Sequence, residues 1–207
     1  MLDFLKKPSF LFGAKGSKLQ EIKQKQRQIQ YDIIDRSPLL IQPVEREGTE
    51  LVLPQQIGPF KLIDTGTVVF DEPGFHTRNF IFPVGYTVQT LYPSAINPKT
   101  YTLMTARIIH GGSRPHFLVQ AADQPRHPVT RPTAIGAWAP FIKNACFIRR
   151  GYTPDCLPYK EGLRLYGFEN DTIKSALQDL PNVSRLDRYV RKKTQLMNSK
   201  QTSDALE

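Results

Sequence analysis

Cysteine is scarce in this chain: Cys146 and Cys156 are the two present among 207 residues. Two thiols cannot build a disulfide framework or a four-thiolate zinc site, and no histidine lies near them in sequence. Both therefore read as reduced packing residues. Long apolar runs are missing too. The opening MLDFLKKPSFLFGAKG is broken by Asp3, Lys6, Lys7 and Pro8, and nowhere does a run of about 20 apolar residues occur. That pattern predicts a soluble, intracellular chain with no membrane contact. Acidic residues are the minority charge, 19 against 28 Lys and Arg, leaving a net charge of +9 and a pI near 9.6. This balance suits acidic company: nucleic acid, phosphoproteins or anionic lipid. The motifs of common chemistries are also lacking. There is no nucleophile elbow and no dinucleotide turn, and GAKGSK at Gly13 lacks the spacing of a phosphate loop. His76, His110, His116 and His127 form no i, i+4 pair and have no acidic neighbour at i+2. No catalytic, metal or cofactor-binding residue is expected, and the chain reads as a non-enzyme.

What is present divides into regions. Residues 1–16 read as a flexible N-terminus. Residues 17–36 read as an amphipathic, coiled-coil-like helix: Leu19, Ile22, Ile29 and Ile33 fall on heptad a and d positions, with Gln26 at the a position between them. A stripe that narrow suits a helical partner, a homodimer included; folding back onto its own domain is the alternative. Prolines at 38, 43, 54 and 59 exclude helix from the next stretch, so residues 37–56 read as an extended linker. The folded domain is expected at 57–190, and residues 191–207 as a frayed tail.

Within the domain, short apolar runs separated by turn residues predict strands as far as about Val119. KLIDTGTVVF alternates loosely, and NFIFPVGYTVQTLYPS reads as strand, bend, strand, with Gly85 at the bend. Leu103 to Ile109 and His116 to Gln120 flank HGGSRP as a hairpin, and DQPRHPVTRPTA reads as a loop. After Trp138 the period changes: AWAPFIKNACFIRRGY is helical in part, and Gly162 and Gly167 bracket a short strand. A helix then spans 170–180, capped by Asn170 or Asp171 and stopped by Pro181. Strands first and helices after predict an α+β domain, an antiparallel sheet with helices packed on it.

FHTRNFIFPVGY at 75–86 crowds aromatics around a turn. A ligand site, a nucleic-acid stacking platform and a packed sheet edge are all compatible with such a cluster. Between Phe75 and Tyr101 the basic residues are Arg78 and Lys99, too few to track a phosphate backbone.

PGFH at 73–76, FPVGY at 82–86, LYPS at 91–94 and IIHGGSRPHFLV at 108–119 resemble, in order and spacing, the FYRN region. That region occurs in mixed-lineage-leukaemia and trithorax methyltransferases, some JmjC demethylases and the transforming growth factor beta regulator proteins. AW at 137–138 and LYGFENDTIKSALQDLPNV at 165–183 resemble its partner, the FYRC region. The resemblance places FYRN at about 59–120 and FYRC at about 136–190, joined in a single α+β module. It makes Phe75, His76, Phe82, Pro83, Val84, Gly85, Tyr86, Tyr92, Gly111, Gly112, Pro115, Phe117, Trp138, Tyr166, Gly167 and Phe168 signature residues, mainly structural. Three positions depart from the family pattern: Thr90 replaces an arginine, Met104 an aromatic and Asn182 a glycine. No SET-type or JmjC-type sequence accompanies the module. The arrangement is most like that of the transforming growth factor beta regulator proteins, where a short basic helical segment precedes the module. The resemblance implies a nuclear adaptor with protein partners in a chromatin or transcription complex, or alternatively a non-catalytic subunit of a histone-modifying or remodelling complex, while the net charge of +9 offers the alternative of a nucleic-acid or nucleosome-surface binder.

Overall fold

A computed structural model describes residues 39–48 and 50–196. Its centre is a six-stranded antiparallel meander of β4 (Gln55–Ile57), β5 (Phe60–Asp64), β6 (Thr87–Pro93), β7 (Tyr101–His110), β8 (Pro115–Ala121) and β9 (Val129–Arg131), each strand beside its sequence neighbour. The expected α+β architecture is present, with three helices packed on this sheet: α1 (Ala134–Arg150), α2 (Tyr159–Leu165) and α3 (Asp171–Gln178).

Strand alternation decides which face the helices cover. Along β7, Thr102, Met104, Ala106 and Ile108 are buried while Tyr101, Leu103 and Arg107 are exposed. Along β8, Pro115, Phe117, Val119 and Ala121 are buried in turn. One face is therefore core and the other faces solvent. Helix α1 brings Ala134, Ala137, Trp138, Phe141, Ile142 and Ala145 onto the core face, the i, i+3, i+4, i+7 spacing of a helical stripe. Thr133 Oγ1 accepts from Gly136 N at 3.1 Å to start α1, and Gly151, at φ 73°, ends it. Asn170 caps α3, its Oδ1 accepting from Ile173 N at 3.0 Å.

Several elements differ from expectation, each through long-range contact. Residues 162–167 are not a strand: Tyr159–Leu165 is helical. Gly162, expected at the edge of a strand, lies inside this helix as a contact point, since a Cβ there would strike the backbone of Ala134 and Ile135 at the start of α1. The proline-rich stretch 123–134 contains edge strand β9, whose flanking Pro128 and Pro132 an edge tolerates. Only the second half of the 79–94 stretch is regular strand; its first half is held by isolated bridges, His76 to Ile81 and Thr67 to Val84.

The expected linker and tail also carry structure. Beyond β4, residues 39–56 contain β1 (Leu39–Ile41), β2 (Arg46–Glu47) and β3 (Glu50–Leu51). The first of these pairs in parallel with β10 (Thr194–Leu196) and lies against α3. Leu39 is 2% exposed. The C-terminal stretch is held by Gln178, which is buried near the end of α3. Its Oε1 accepts from Tyr189 OH at 2.8 Å and from Lys192 N at 2.7 Å, and its Nε2 donates to Lys192 O at 3.1 Å. Burial raises the Tyr189 hydroxyl to a pKa of about 12. No helix among the described residues is long and apolar enough to cross a membrane.

Candidate interaction surface

The aromatic signature residues other than Phe75 converge on one core. Phe82 meets Phe117 edge-on at 5.5 Å and Phe168 edge-on at 5.4 Å. Tyr86 stacks on Phe168 at 4.9 Å, and Phe117 meets Tyr166 at 5.3 Å. Trp138, fully buried, lies 5.2 Å from Tyr92 with the two rings inclined at 63°. Edge-on and offset arrangements match ring quadrupoles and add about 0.5–1.5 kcal/mol per pair to burial. The two buried hydroxyls are both satisfied: Tyr86 OH donates to Tyr166 O at 2.7 Å, and Tyr166 OH donates to Leu118 O at 2.9 Å. Burial drives both hydroxyls well above the usual tyrosine range.

The remaining signature residues shape the chain around this cluster. Gly85, at φ 92°, is the bend, and its N–H donates to Ile108 O at 2.9 Å. Pro83 is buried and Val84 half-buried beside it. Gly167, at φ 76°, would bring a Cβ against Ile173 Cδ1 and toward Tyr86 OH. Gly111 and Gly112 lie in the β7–β8 turn, and Pro115 opens β8. Phe75 is buried with its ring 5.0 Å from that of His110. His76 is buried, its Nε2 2.7 Å from Asp187 Oδ1, and this hydrogen bond holds the Asp187 carboxyl below its usual range. The four histidines do not converge, and among the described residues no three His, Cys, Asp or Glu side chains form a metal-ligand group. The stripe Leu19, Ile22, Gln26, Ile29 and Ile33 lies outside the described residues.

Residues 52–111 match the family model described as F/Y-rich N-terminus, FYRN, and residues 114–195 match F/Y rich C-terminus, FYRC. The chain belongs to the FY-rich family. Its FYRN region comprises β4 to β7 and its FYRC region begins at β8, so the β7–β8 ladder is the seam between them. The Tyr86 to Tyr166 hydrogen bond and the Phe82–Phe168 and Tyr86–Phe168 contacts cross that seam. The chain is 26% identical over 185 residues to transforming growth factor beta regulator 1 of Rattus norvegicus, covering 89% of this chain and 45% of that protein. The Homo sapiens protein of that name is 27% identical over 151 residues, 72% of this chain and 36% of the relative. Histone-lysine N-methyltransferase TRX1 of Oryza sativa subsp. japonica is 24% identical over 143 residues, 66% of this chain and 14% of that enzyme. The chain thus spans less than half the length of these curated relatives.

The departures from the family pattern have local explanations. Thr90 is buried, and its Oγ1 donates to Pro59 O at 3.1 Å. Met104 sits in the core at 1% exposure, where a flexible thioether fills the space. Asn182 adopts φ 68°, ψ 2°, the left-handed region that glycine, and next to it asparagine, enters at least cost.

With the signature spent on the core, solvent meets the other sheet face of the FY-rich module. There Leu91 and Leu103 are register partners, 68% and 39% exposed, and Tyr101 is 67% exposed. Beside them Gln89 Nε2 donates to Thr105 Oγ1 at 3.2 Å. These residues escaped the sequence reading. Their signal was the phase of β7, where Tyr101 and Leu103 share a face with Arg107 and so oppose the core.

Proposed function

We propose that this chain is a non-enzymatic, nuclear adaptor of a chromatin or transcription complex, in which the FYRN–FYRC module makes protein–protein contacts. One observation carries the reading: aromatic signature residues of both regions, Phe82 and Tyr86 from FYRN with Phe117, Trp138, Tyr166 and Phe168 from FYRC, pack into a single shared core, so the module serves as a scaffold that presents surfaces. The chromatin assignment is supported by the relatives, since matching stretches occur both in proteins named as regulators and in proteins named as histone-lysine methyltransferases, 14% of the rice enzyme and 6% of the trr enzyme of Drosophila melanogaster. The stretches shared with those enzymes are 143 and 141 residues long, and an accessory, non-catalytic role is proposed for the module here.

Affinity purification of the intact chain from nuclear extract with mass spectrometry is the test. The expected outcome is recovery of chromatin or transcription proteins, and repeating it with residues 38–207 separates partners of the module from partners of the N-terminal segment. A fluorescent fusion should concentrate in the nucleus. The net charge of +9 supports a second reading, nucleic-acid binding. Charge-driven affinity falls steeply with salt, so nucleic-acid binding that persists above about 0.2 M salt, without protein partners, would replace the adaptor reading.

A further inference from the structure

A groove of about 460 Å³ opens between the 3₁₀ turn Pro73–Phe75, the β7–β8 turn and the starts of α1 and α2. It straddles the seam: Phe82 comes from FYRN, Phe117 and Tyr159 from FYRC. Phe82 and Phe117, both buried, form its base. Tyr159, 53% exposed, lines one side, and Arg114 and Arg188 are on the solvent side.

Two close backbone approaches pre-form the walls. A Cβ at Gly74 would collide with Ser113 O and the Arg114 backbone, so the 73–75 turn and the β7–β8 turn are in direct contact. Gly162 likewise seats α2, and with it Tyr159, on the start of α1. The guanidinium of Arg188 is anchored, Nη2 donating to Pro73 O and Nε lying 3.9 Å from Asp187 Oδ1. The Arg114 side chain has no hydrogen bond or ion pair among the described residues. An aromatic base with an uncommitted guanidinium above it matches one ligand chemistry: an apolar side chain to cover the rings and a carboxylate to take the fork of donors.

We propose that this groove binds an acidic peptide segment, seating one apolar side chain on Phe82 and Phe117 and directing a neighbouring carboxylate to Arg114 beside Arg188. The proposal rests on the reading of the module as a protein-binding one and names the chemistry of its partner. An excess of positive charge over the whole chain speeds the encounter with such a segment.

The test is selection from a phage-displayed random dodecapeptide library on the immobilised full chain, followed by fluorescence anisotropy with a selected peptide. Enrichment of Asp or Glu next to an aromatic or aliphatic residue is expected. Arg114→Glu should weaken binding about ten-fold or more and Tyr159→Ala should also weaken it, while Arg114→Lys, which keeps charge without the planar fork, should lose less. These positions are exposed, so an unchanged melting temperature confirms that the variants fold. Leu91→Asp on the open sheet face should leave affinity unchanged. Peptides that bind Arg114→Glu as well as the parent but are lost in Leu91→Asp would overturn the groove and leave the adaptor reading standing. Selection of neutral peptides, or displacement of the peptide by duplex DNA at equal charge, would overturn the groove proposal. No selectable peptide, together with nucleic-acid binding that resists salt, would overturn both.

Discussion

The buried hydroxyl of Tyr86 joins the two family regions through Tyr166 O, that of Tyr166 bonds Leu118 O within FYRC, and their shared environment makes a pH dependence. Burial raises both above their ordinary value of 10.0. A group whose pKa is raised on folding contributes stability that is fully present below the unfolded value and is lost as pH rises toward the folded one. Stability should therefore hold up to about pH 10 and fall above it. Tyrosinate absorbance and loss of ellipticity should be followed together; ionisation of all eight tyrosines before any loss of structure would contradict the buried placement. Asn182 tests the backbone at the same scale. A Cβ-bearing residue without a local hydrogen-bonding side chain costs about 1–2 kcal/mol in the left-handed region. Asn182→Ala should thus lose roughly 1 kcal/mol by denaturant unfolding, and Asn182→Gly should stay within about 0.5 kcal/mol of the parent. An alanine variant as stable as the parent would mean that this turn relaxes to another conformation.

Among the elements, the parallel pair of β1 and β10 is the least local, joining Leu39 to Thr194 in register. Its stability comes from what lies beneath it. Leu39 is buried on the α3 side, and Gln42 N donates to Thr172 Oγ1 at 2.8 Å. Gln178 satisfies both backbone groups of Lys192. Leu39→Ala should cost about 2–4 kcal/mol through lost burial and a cavity, whereas Leu196→Ala, at a site 61% exposed, should stay within about 0.5 kcal/mol. Gln178→Leu would orphan the donors and acceptor it serves, each costing about 1–3 kcal/mol when left buried. Limited proteolysis should then cut within 189–196 before the rest of the domain. Equal sensitivity of parent and variant would show that β10 is held by other contacts.

For the whole molecule, the seam between FYRN and FYRC decides what can fold. Of the six-stranded sheet, four strands precede the seam and two follow, and the covering helices all come from the second region. A chain of 52–111 alone would leave Leu62, Val88, Met104 and Ile108, each at most 1% exposed in the module, without helices above them. At about 1.5–3 kcal/mol per buried side chain, that loss is comparable to the whole margin by which a domain of this size is stable. Residues 52–111 and 114–195 expressed separately should each show no cooperative unfolding transition, while residues 38–207 should show one. A cooperative thermal transition in the isolated FYRN region would mean that the seam is a boundary between domains instead of the middle of one.

Local pattern by itself determined the parts of this protein whose periods close within a few residues. The β7–β8 hairpin was legible from two apolar runs around Gly111 and Gly112, α3 from Asn170 and Pro181 about a helix's length apart, and the α+β order from the change of period after Trp138. The spaced aromatic motifs determined the family, and with it the burial of Phe75, Phe82 and Tyr86. Tertiary contact decided the rest. Gly162 reads locally as the edge of a strand, yet its missing Cβ is what lets α2 touch α1. The proline-rich stretch after Ser37 is extended on its own account, but its pairing with residues more than a hundred positions away depends on a surface that exists only once α3 has packed. The groove above Phe82 and Phe117 is of the same kind. Arg114, Tyr159 and Arg188 have no shared sequence signal, because proximity created by a fold has no period along the chain.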